Sequence, residues 1–167
     1  MDSAAKKTAL RMIPYGLYVL TAESSDGRTA AATVNWVTQT SFEPPMLVVG
    51  VKTDSGAHDL IKETGFFALN MLGKGQQGTC FGFFKPTVKE GDTLNGEKYR
   101  SGSNGCPLLE SAPAFVECKL VETVEKGDHS IFIGEVVDAG LNTEFEGRAD
   151  ESILIMSELG EKVFYGG

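Results

Sequence analysis

Two stretches hold most of the side chains able to do chemistry. Residues 30–52 read A-A-A-T-V-N-W-V-T-Q-T-S-F-E-P-P-M-L-V-V-G-V-K, and residues 127–137 read G-D-H-S-I-F-I-G-E-V-V. In the first, Thr33, Asn35, Thr38, Gln39, Thr40 and Ser41 crowd hydroxyls and amides around a lone Trp36. In the second, His129 opens an apolar strand just after a turn. Short polar groups beside an apolar strand suit a flat, polar-edged cofactor with a phosphate tail. The same run also fits the polar face of a half-exposed strand followed by a turn, and composition alone does not separate the two.

Lys52, Thr53 and Ser55 follow the third strand and precede a helix. A cation, two hydroxyls and a helix N-terminus make an anion site, and equally an ordinary solvated lysine beside an N-cap. F-G-F-F-K at 81–85 offers aromatics, a glycine for close approach and a cation in Lys85; its other reading is a core-facing aromatic cluster. Of the two histidines, His58 falls inside a helix and is expected at the surface. His129 at a strand start faces a cleft mouth or serves the structure.

The elements that must position these groups are mostly strands. Helix formers over Asp2–Ile13, stopped by Pro14, predict a short amphipathic helix. Strands are expected at Gly16–Ala22, Thr29–Thr38, Met46–Val51, Phe66–Leu72, Ala114–Val124, His129–Ala139 and Ser152–Met156. Asp26-Gly27 and Lys126-Gly127-Asp128 supply the hairpin turns. Asp54 or Ser55 caps a helix over Gly56–Thr64 that ends at Gly65, and Gly75–Phe84 holds another short helix. Lys85–Pro113, rich in Gly, Asn, Ser, Pro and Lys, reads as a long irregular connection of the kind that often carries function. Alternation along the second strand sends Thr33, Asn35 and Val37 one way and Val34, Trp36 and Thr38 the other. Past Thr38 the backbone is expected to leave the ladder and free N–H groups for an anion or ring carbonyl. Hairpin-connected strands with a few short helices argue for a closed antiparallel barrel, although periodicity does not separate barrel from sandwich.

With 167 residues, one domain over 1–167 is expected, large enough for a core without disulfides. The formal charge of −8 argues against nucleic acid or an anionic membrane as partner, so a bound phosphate needs local N–H groups and cations. No apolar run nears the roughly 20 residues of a membrane span, and the N-terminal residues lack a signal-peptide core. Cytoplasmic location follows by default. Cys80, Cys106 and Cys118 form no C-x-x-C, which fits free thiols, and their spacing with the histidines matches no zinc pattern, so no metal is expected. Neither G-x-G-x-x-G nor a P-loop occurs.

The order of these segments is more specific than any one of them. I-P-Y-G-L-Y-V-L-T-A, T-V-N-W-V-T-Q-T-S-F-E-P-P, V-G-V-K-T-D-S-G-A-H-D-L-I-K-E-T-G-F-F-A-L-N-M-L and G-D-H-S-I-F-I-G-E-V-V together resemble, from about Ile13 to Ala139, the flavin reductase-like family of FMN-binding split barrels. The resemblance implies a mainly β, six-stranded antiparallel Greek-key split barrel with a few short helices, forming a homodimer with FMN (or FAD) near the interface. It implies Asn35 and Trp36 beside the flavin, Thr38, Gln39, Thr40 and Ser41 at its ring edge or phosphate, and Lys52, Thr53 and Ser55 at the phosphate and ribityl chain. Lys85 is implied as a further contact, His129 near the ring or an incoming nicotinamide, and Phe164 or Tyr165 as a cover. The Asn-Trp pair and F-F-K look like the flavoredoxin and ferric-reductase branch.

The activity implied is NAD(P)H:flavin oxidoreduction, NADH or NADPH delivering hydride to flavin N5. The onward acceptor is left open among oxygen, ferric iron and a redox protein such as rubredoxin, a flavodiiron protein or a monooxygenase. The alternatives are a flavoredoxin-like FMN electron carrier reduced by a protein partner, and a non-catalytic ligand-binding barrel. Pyridoxamine phosphate oxidase, a related fold, is disfavoured by the lack of an Arg/Lys-rich phosphate motif.

Overall fold

In the computed structural model, which describes residues 1–167, the chain forms α1 (Ser3–Arg11), β1 (Tyr18–Glu23), β2 (Thr29–Val34), β3 (Val37–Ser41), β4 (Met46–Lys52), α2 (Gly56–Thr64), β5 (Phe66–Met71) and α3 (Gln77–Gly82). Four short strands follow, β6 (Lys89–Glu90), β7 (Thr93–Leu94), β8 (Glu97–Ser101) and β9 (Pro107–Leu109), then the long hairpin β10 (Ala114–Glu125) and β11 (His129–Leu141).

Seven strands hydrogen-bond antiparallel in the order β2-β1-β5-β10-β11-β4-β3. β2 and β3 stand at opposite edges, yet only Asn35 and Trp36 separate them in the chain. Those two residues close the sheet on itself. Counted as one bent strand, β2 and β3 give the six strands of the expected split barrel. The bend also corrects the single strand expected over Thr29–Thr38. β2 keeps its ladder to Tyr18↔Val34, and β3 begins a new one at Val37↔Val49.

The barrel interior is filled by Leu20, Val49, Phe67, Leu69 and Phe132, with Ile61 of α2 plugging one end. A second core, around Leu17, Val19, Leu72, Phe83, Leu94 and Leu154, lies on the outer side of β1. Successive residues of a strand face opposite ways, so Val19 enters one core and Leu20 the other, which is why this strand is apolar at consecutive positions.

The outer core exists because the connection after α3 is not irregular. β6 to β9 form a four-stranded sheet. Its strands, as short as two residues, are below what alternation can reveal. Thr87 pins this region to β2, accepting from Ala31 N (2.8 Å) and donating to Ala31 O (3.1 Å). The strand expected at Ser152–Met156 is also absent. That segment makes two isolated bridges, Ile153 to Gly73 and Ile155 to Gly16, flanked by 3₁₀ turns at Ala149–Glu151 and Met156–Leu159. No helix is long and apolar enough to cross a membrane.

Candidate functional site

The Asn35–Trp36 step defines the site. Trp36 O accepts from Gly50 N at 2.9 Å, so β4 holds the corner. The indole packs closely against Gly50: a Cβ there would stand 3.1 Å from Trp36 Cε3, so the ring would have to give by a few tenths of an ångström to admit one. Because the chain turns here, simple alternation fails. Asn35 lines one cleft beside Thr33, whereas Trp36, Val37 and Thr38 all line another.

The first cleft, about 310 Å³, has an apolar floor from Leu17, Phe83 and Met156, with Asn35, Lys52 and Ser55 as its polar groups. The second, about 760 Å³, runs past Trp36, Thr38, Gly50 and His129, with the Asp128 carboxylate at its edge.

The β-ladder joins the two arms of the site. Lys52 at the end of β4 pairs in register with His129 at the start of β11. Thr53 donates both its N–H (3.0 Å) and its hydroxyl (3.1 Å) to Asp128 O, tying the turn after β4 to the turn before β11. Ser55 caps α2, accepting from His58 N (3.2 Å) and donating to Lys52 O (2.8 Å). Gly65 ends α2 at φ 75°, a conformation glycine adopts without strain.

His58, expected at the surface, is buried at 5% exposure. Its Nε2 meets Ser130 Oγ at 2.9 Å and its ring lies 5.2 Å from Phe132, because the face of α2 that packs on the barrel includes it together with Ala57 and Ile61.

His129 sits between two partners. Nδ1 is 3.0 Å from Asp128 Oδ1, and Nε2 is 2.7 Å from the Tyr165 hydroxyl. The hydrogen bond to His129 holds the Asp128 carboxyl below the usual carboxylate range. An ionised carboxylate only accepts, so in the neutral ring Nδ1 carries the proton and Nε2 accepts from Tyr165. The Trp36 ring lies 4.5 Å from His129 and 5.4 Å from Tyr165. Burial raises the Tyr165 phenol above its ordinary value, with nearby Lys52 opposing. Lys52 itself pairs with Asp54 at 2.9 Å, and that hydrogen bond is the main reason its pKa is raised.

Asn35, Trp36, Thr38, Lys52, Ser55 and His129 therefore converge on the two clefts, with Thr53 bracing them. The others stand apart. The backbone turns first at Asn35–Trp36, and the ladder is broken again past Thr38 by a bulge that leaves Thr40 unpaired between Gln39, opposite Leu47, and Ser41, opposite Met46. Gln39 lines a separate groove beside Met46 and Val136. Lys85 is exposed and lines neither cleft, while its neighbours Phe83 and Phe84 line the first. Phe164 lies under Arg11, whose guanidinium carbon is 3.9 Å from the ring centroid, and Tyr165 is the tail aromatic that reaches the cleft. Asp128 was missed as a partner of His129, although its adjacency in G-D-H was the available signal.

Two features suit a planar aromatic ligand with polar edges and a charged tail. The first cleft is an apolar slot with an amide, a hydroxyl and an ammonium on its wall. Trp36 Nε1 is buried with no hydrogen-bond partner, a donor that a ring or amide oxygen would satisfy.

Comparison with known proteins places the chain as a whole. The model of the flavin reductase like domain matches residues 10–157. The chain is 34% identical over 135 residues to the ferric-chelate reductase (NAD(P)H) of Archaeoglobus fulgidus, covering 78% of both proteins. The NADH:FAD oxidoreductase of Streptomyces globisporus, solved with NAD and FAD fragments, superposes with a TM-score of 0.69 at 32% identity, covering 77% of this chain and 76% of that one. The styrene monooxygenase flavin reductase of Pseudomonas putida S12 gives a TM-score of 0.70 at 28% identity, covering 84% and 87%. Some relatives are longer: the chain spans 45% of a Rhizobium meliloti protein to which it is 31% identical over 144 residues.

Proposed function

The chain belongs to the flavin reductase-like family, and from that footing we propose that it is an NAD(P)H:flavin oxidoreductase that binds FMN. The observation that carries this reading is the convergence, at one bend of the barrel, of an apolar slot, the unpartnered Trp36 Nε1 and His129. When bound, FMN supplies the hydride acceptor, N5, for the nicotinamide.

The residues hold and orient. Asn35 and Trp36 provide donors to the ring's polar edge. Lys52 and Ser55, with Thr53 behind them and the N-terminus of α2 alongside, favour the phosphate. Lys52 brings positive charge to a protein of net −8, and its exposed pairing with Asp54 is weak enough to exchange for a phosphate oxygen. His129, fixed by Asp128, orients the nicotinamide. Hydride transfer requires no protein acid or base, so this is a positioning role. Thr38, on the wall of the second cleft, faces the ring edge. Gln39, Thr40, Ser41 and Lys85, which line neither cleft, are assigned only as outer contacts, and Phe164 with Tyr165 as a cover that stands over the site before the nucleotide enters.

Residues 1–167 act as a single domain in this reading, supported by bridges that join residues 153 and 155 to the start of the barrel and the end of β5. The protein is a homodimer, supported by exposed apolar side chains on and beside the sheet: Phe42 (89%), Leu141 (68%), Val137 (49%) and Ile131 (43%). Its setting is the cytoplasm, and a redox protein such as a rubredoxin or a monooxygenase component receives the electrons.

The test is the visible spectrum of the purified protein before and after anaerobic NADH or NADPH. A flavin spectrum that bleaches quickly supports the reductase and identifies the nucleotide. One that persists under both favours an electron carrier reduced by a protein. Absence of flavin, with none taken up on adding FMN, refutes the assignment.

A further inference from the structure

Residues 164–167 lie across the groups that a substrate must reach. Tyr165 O accepts from Asn35 Nδ2 at 3.0 Å, and the Tyr165 hydroxyl meets His129 Nε2 at 2.7 Å. One residue thus occupies the polar side chains on both sides of the Asn35–Trp36 bend. The next residue, Gly166, passes beside the indole: a Cβ on it would be in ordinary van der Waals contact with Trp36 Nε1, at 3.6 Å. Trp36 Nε1 is buried and receives no acceptor in exchange. A buried donor without a partner destabilises the covered arrangement relative to one in which a ligand oxygen takes its place.

The far side of this strap is held by one element, α1. Arg11 Nε reaches Gly166 O at a long 3.4 Å, its guanidinium stacks on Phe164, and Gly167 packs so closely on Lys7 that a Cβ would stand 2.7 Å from the Lys7 carbonyl oxygen. All these groups belong to α1, which has no buried residue and so is itself loosely attached. Val163, by contrast, packs against the outer core, which sets the point from which the strap swings.

We propose that residues 164–167, clasped by α1 through Arg11, are a self-occluding gate, with Tyr165 standing where a nicotinamide nucleotide must approach His129 and leaving when that nucleotide enters. The proposal rests on the reductase reading for the identity of the ligand. The occlusion rests only on contacts within the chain. Opening exchanges the Asn35 and His129 bonds to Tyr165 for bonds to the ligand and relieves Trp36 Nε1. The strap competes with the ligand, so the apparent affinity is the intrinsic one reduced by the closed fraction.

Trp36 is the sole tryptophan, which makes the gate directly readable. Acrylamide quenching of its fluorescence is measured on the ligand-free protein and on Arg11→Ala and Tyr165→Gly, followed by titration of each with NADH and with FMN. Arg11 lies outside both clefts, so its variant tests the strap without altering their walls. Both variants are expected to raise the quenching constant at least about twofold and to bind NADH about three- to tenfold tighter than wild type. Unchanged quenching in both variants overturns the gate. So does raised quenching with unchanged or weaker NADH binding, which would make Tyr165 part of the binding wall. If FMN binds all three proteins while quenching stays constant, only the gate falls. If neither FMN nor NADH binds any of them, the gate falls together with the reductase reading.

Discussion

Replacing Gly134 by alanine should strain the barrel interior, where the strand passes close to the Phe67 ring. Gly134 lies on β11 with its α-hydrogen toward the interior. A Cβ there would stand 2.6 Å from Phe67 Cζ, 2.9 Å from Phe67 Cε1 and 3.1 Å from Cys118 Cβ. Carbon atoms pack at about 3.5–4.0 Å, so the ring must retreat by about 1 Å. Phe67 and Cys118 are both fully buried, in a core already filled by Leu69 and Phe132, so no free space receives the ring. Overpacking of this kind costs about 1–3 kcal/mol, and driving a ring off its rotamer adds about 0.5–1.5 kcal/mol. We expect Gly134→Ala to lose about 2–3 kcal/mol in urea unfolding and about 5–10 °C in Tm. Phe67→Leu alone should cost about 1–2 kcal/mol for the cavity it leaves, but combined with Gly134→Ala it should recover at least about 1 kcal/mol of the summed losses. FMN affinity measured well below the melting temperature should remain within about twofold, because the strain sits in the interior, five residues along β11 from His129. A loss under about 0.5 kcal/mol for Gly134→Ala, or strict additivity in the double variant, would refute the reasoning.

Three further outcomes are expected. His129→Ala should raise KM for the nicotinamide about fivefold or more in steady-state assays without weakening FMN binding, as expected for one lost hydrogen bond; lost FMN with unchanged nicotinamide kinetics would contradict its role. Burial pushes the Cys80 thiol up to about 11 and the Cys106 and Cys118 thiols to about 12, so none should react quickly with a disulfide reagent at pH 8 until the protein unfolds, and one rapid equivalent in the native state would contradict this. Asp26, held down at about 2 by hydrogen bonds from Ser24 and then Arg28, has a folded pKa below its unfolded value, so its stabilising contribution is complete above about pH 5 and lost as pH falls toward 2. Thermal melts of wild type and Asp26→Asn should therefore differ at pH 7 and converge near pH 2, and a gap that is constant with pH would count against the linkage.

Much of the fold was legible because hydrophobic period and turn chemistry are local. The apolar run of β1, the Asp26-Gly27 turn, the Ser55 cap with Gly65 behind it and the β10–β11 hairpin all appear where spacing puts them. The small β6–β9 sheet was not legible, since strands of two to five residues carry too few alternations to register and draw their stability from covering β1 and β2. His58 misled for the same reason in reverse: a polar residue on a short helix reads as exposed until a buried Ser130 is placed against it.

What the chain's sequence determined by itself is the set of chemical groups and their local conformations: the hydroxyl and amide run with Trp36, the strand-end Lys52, the capped helix and the G-D-H turn. Tertiary structure alone decided which of them meet. Closure of the barrel at Asn35–Trp36 brought Val37 into the cleft of Trp36 and Thr38, against the alternation, and left Gln39 to Ser41 on the strand. The β4–β11 register set Lys52 beside His129, though 77 positions separate them in the chain, and the strap carried Tyr165 onto His129 from 36 positions away. Periodicity reports which side of its own element a residue faces. The partner across the gap depends on register and closure, which arise only when distant strands pair.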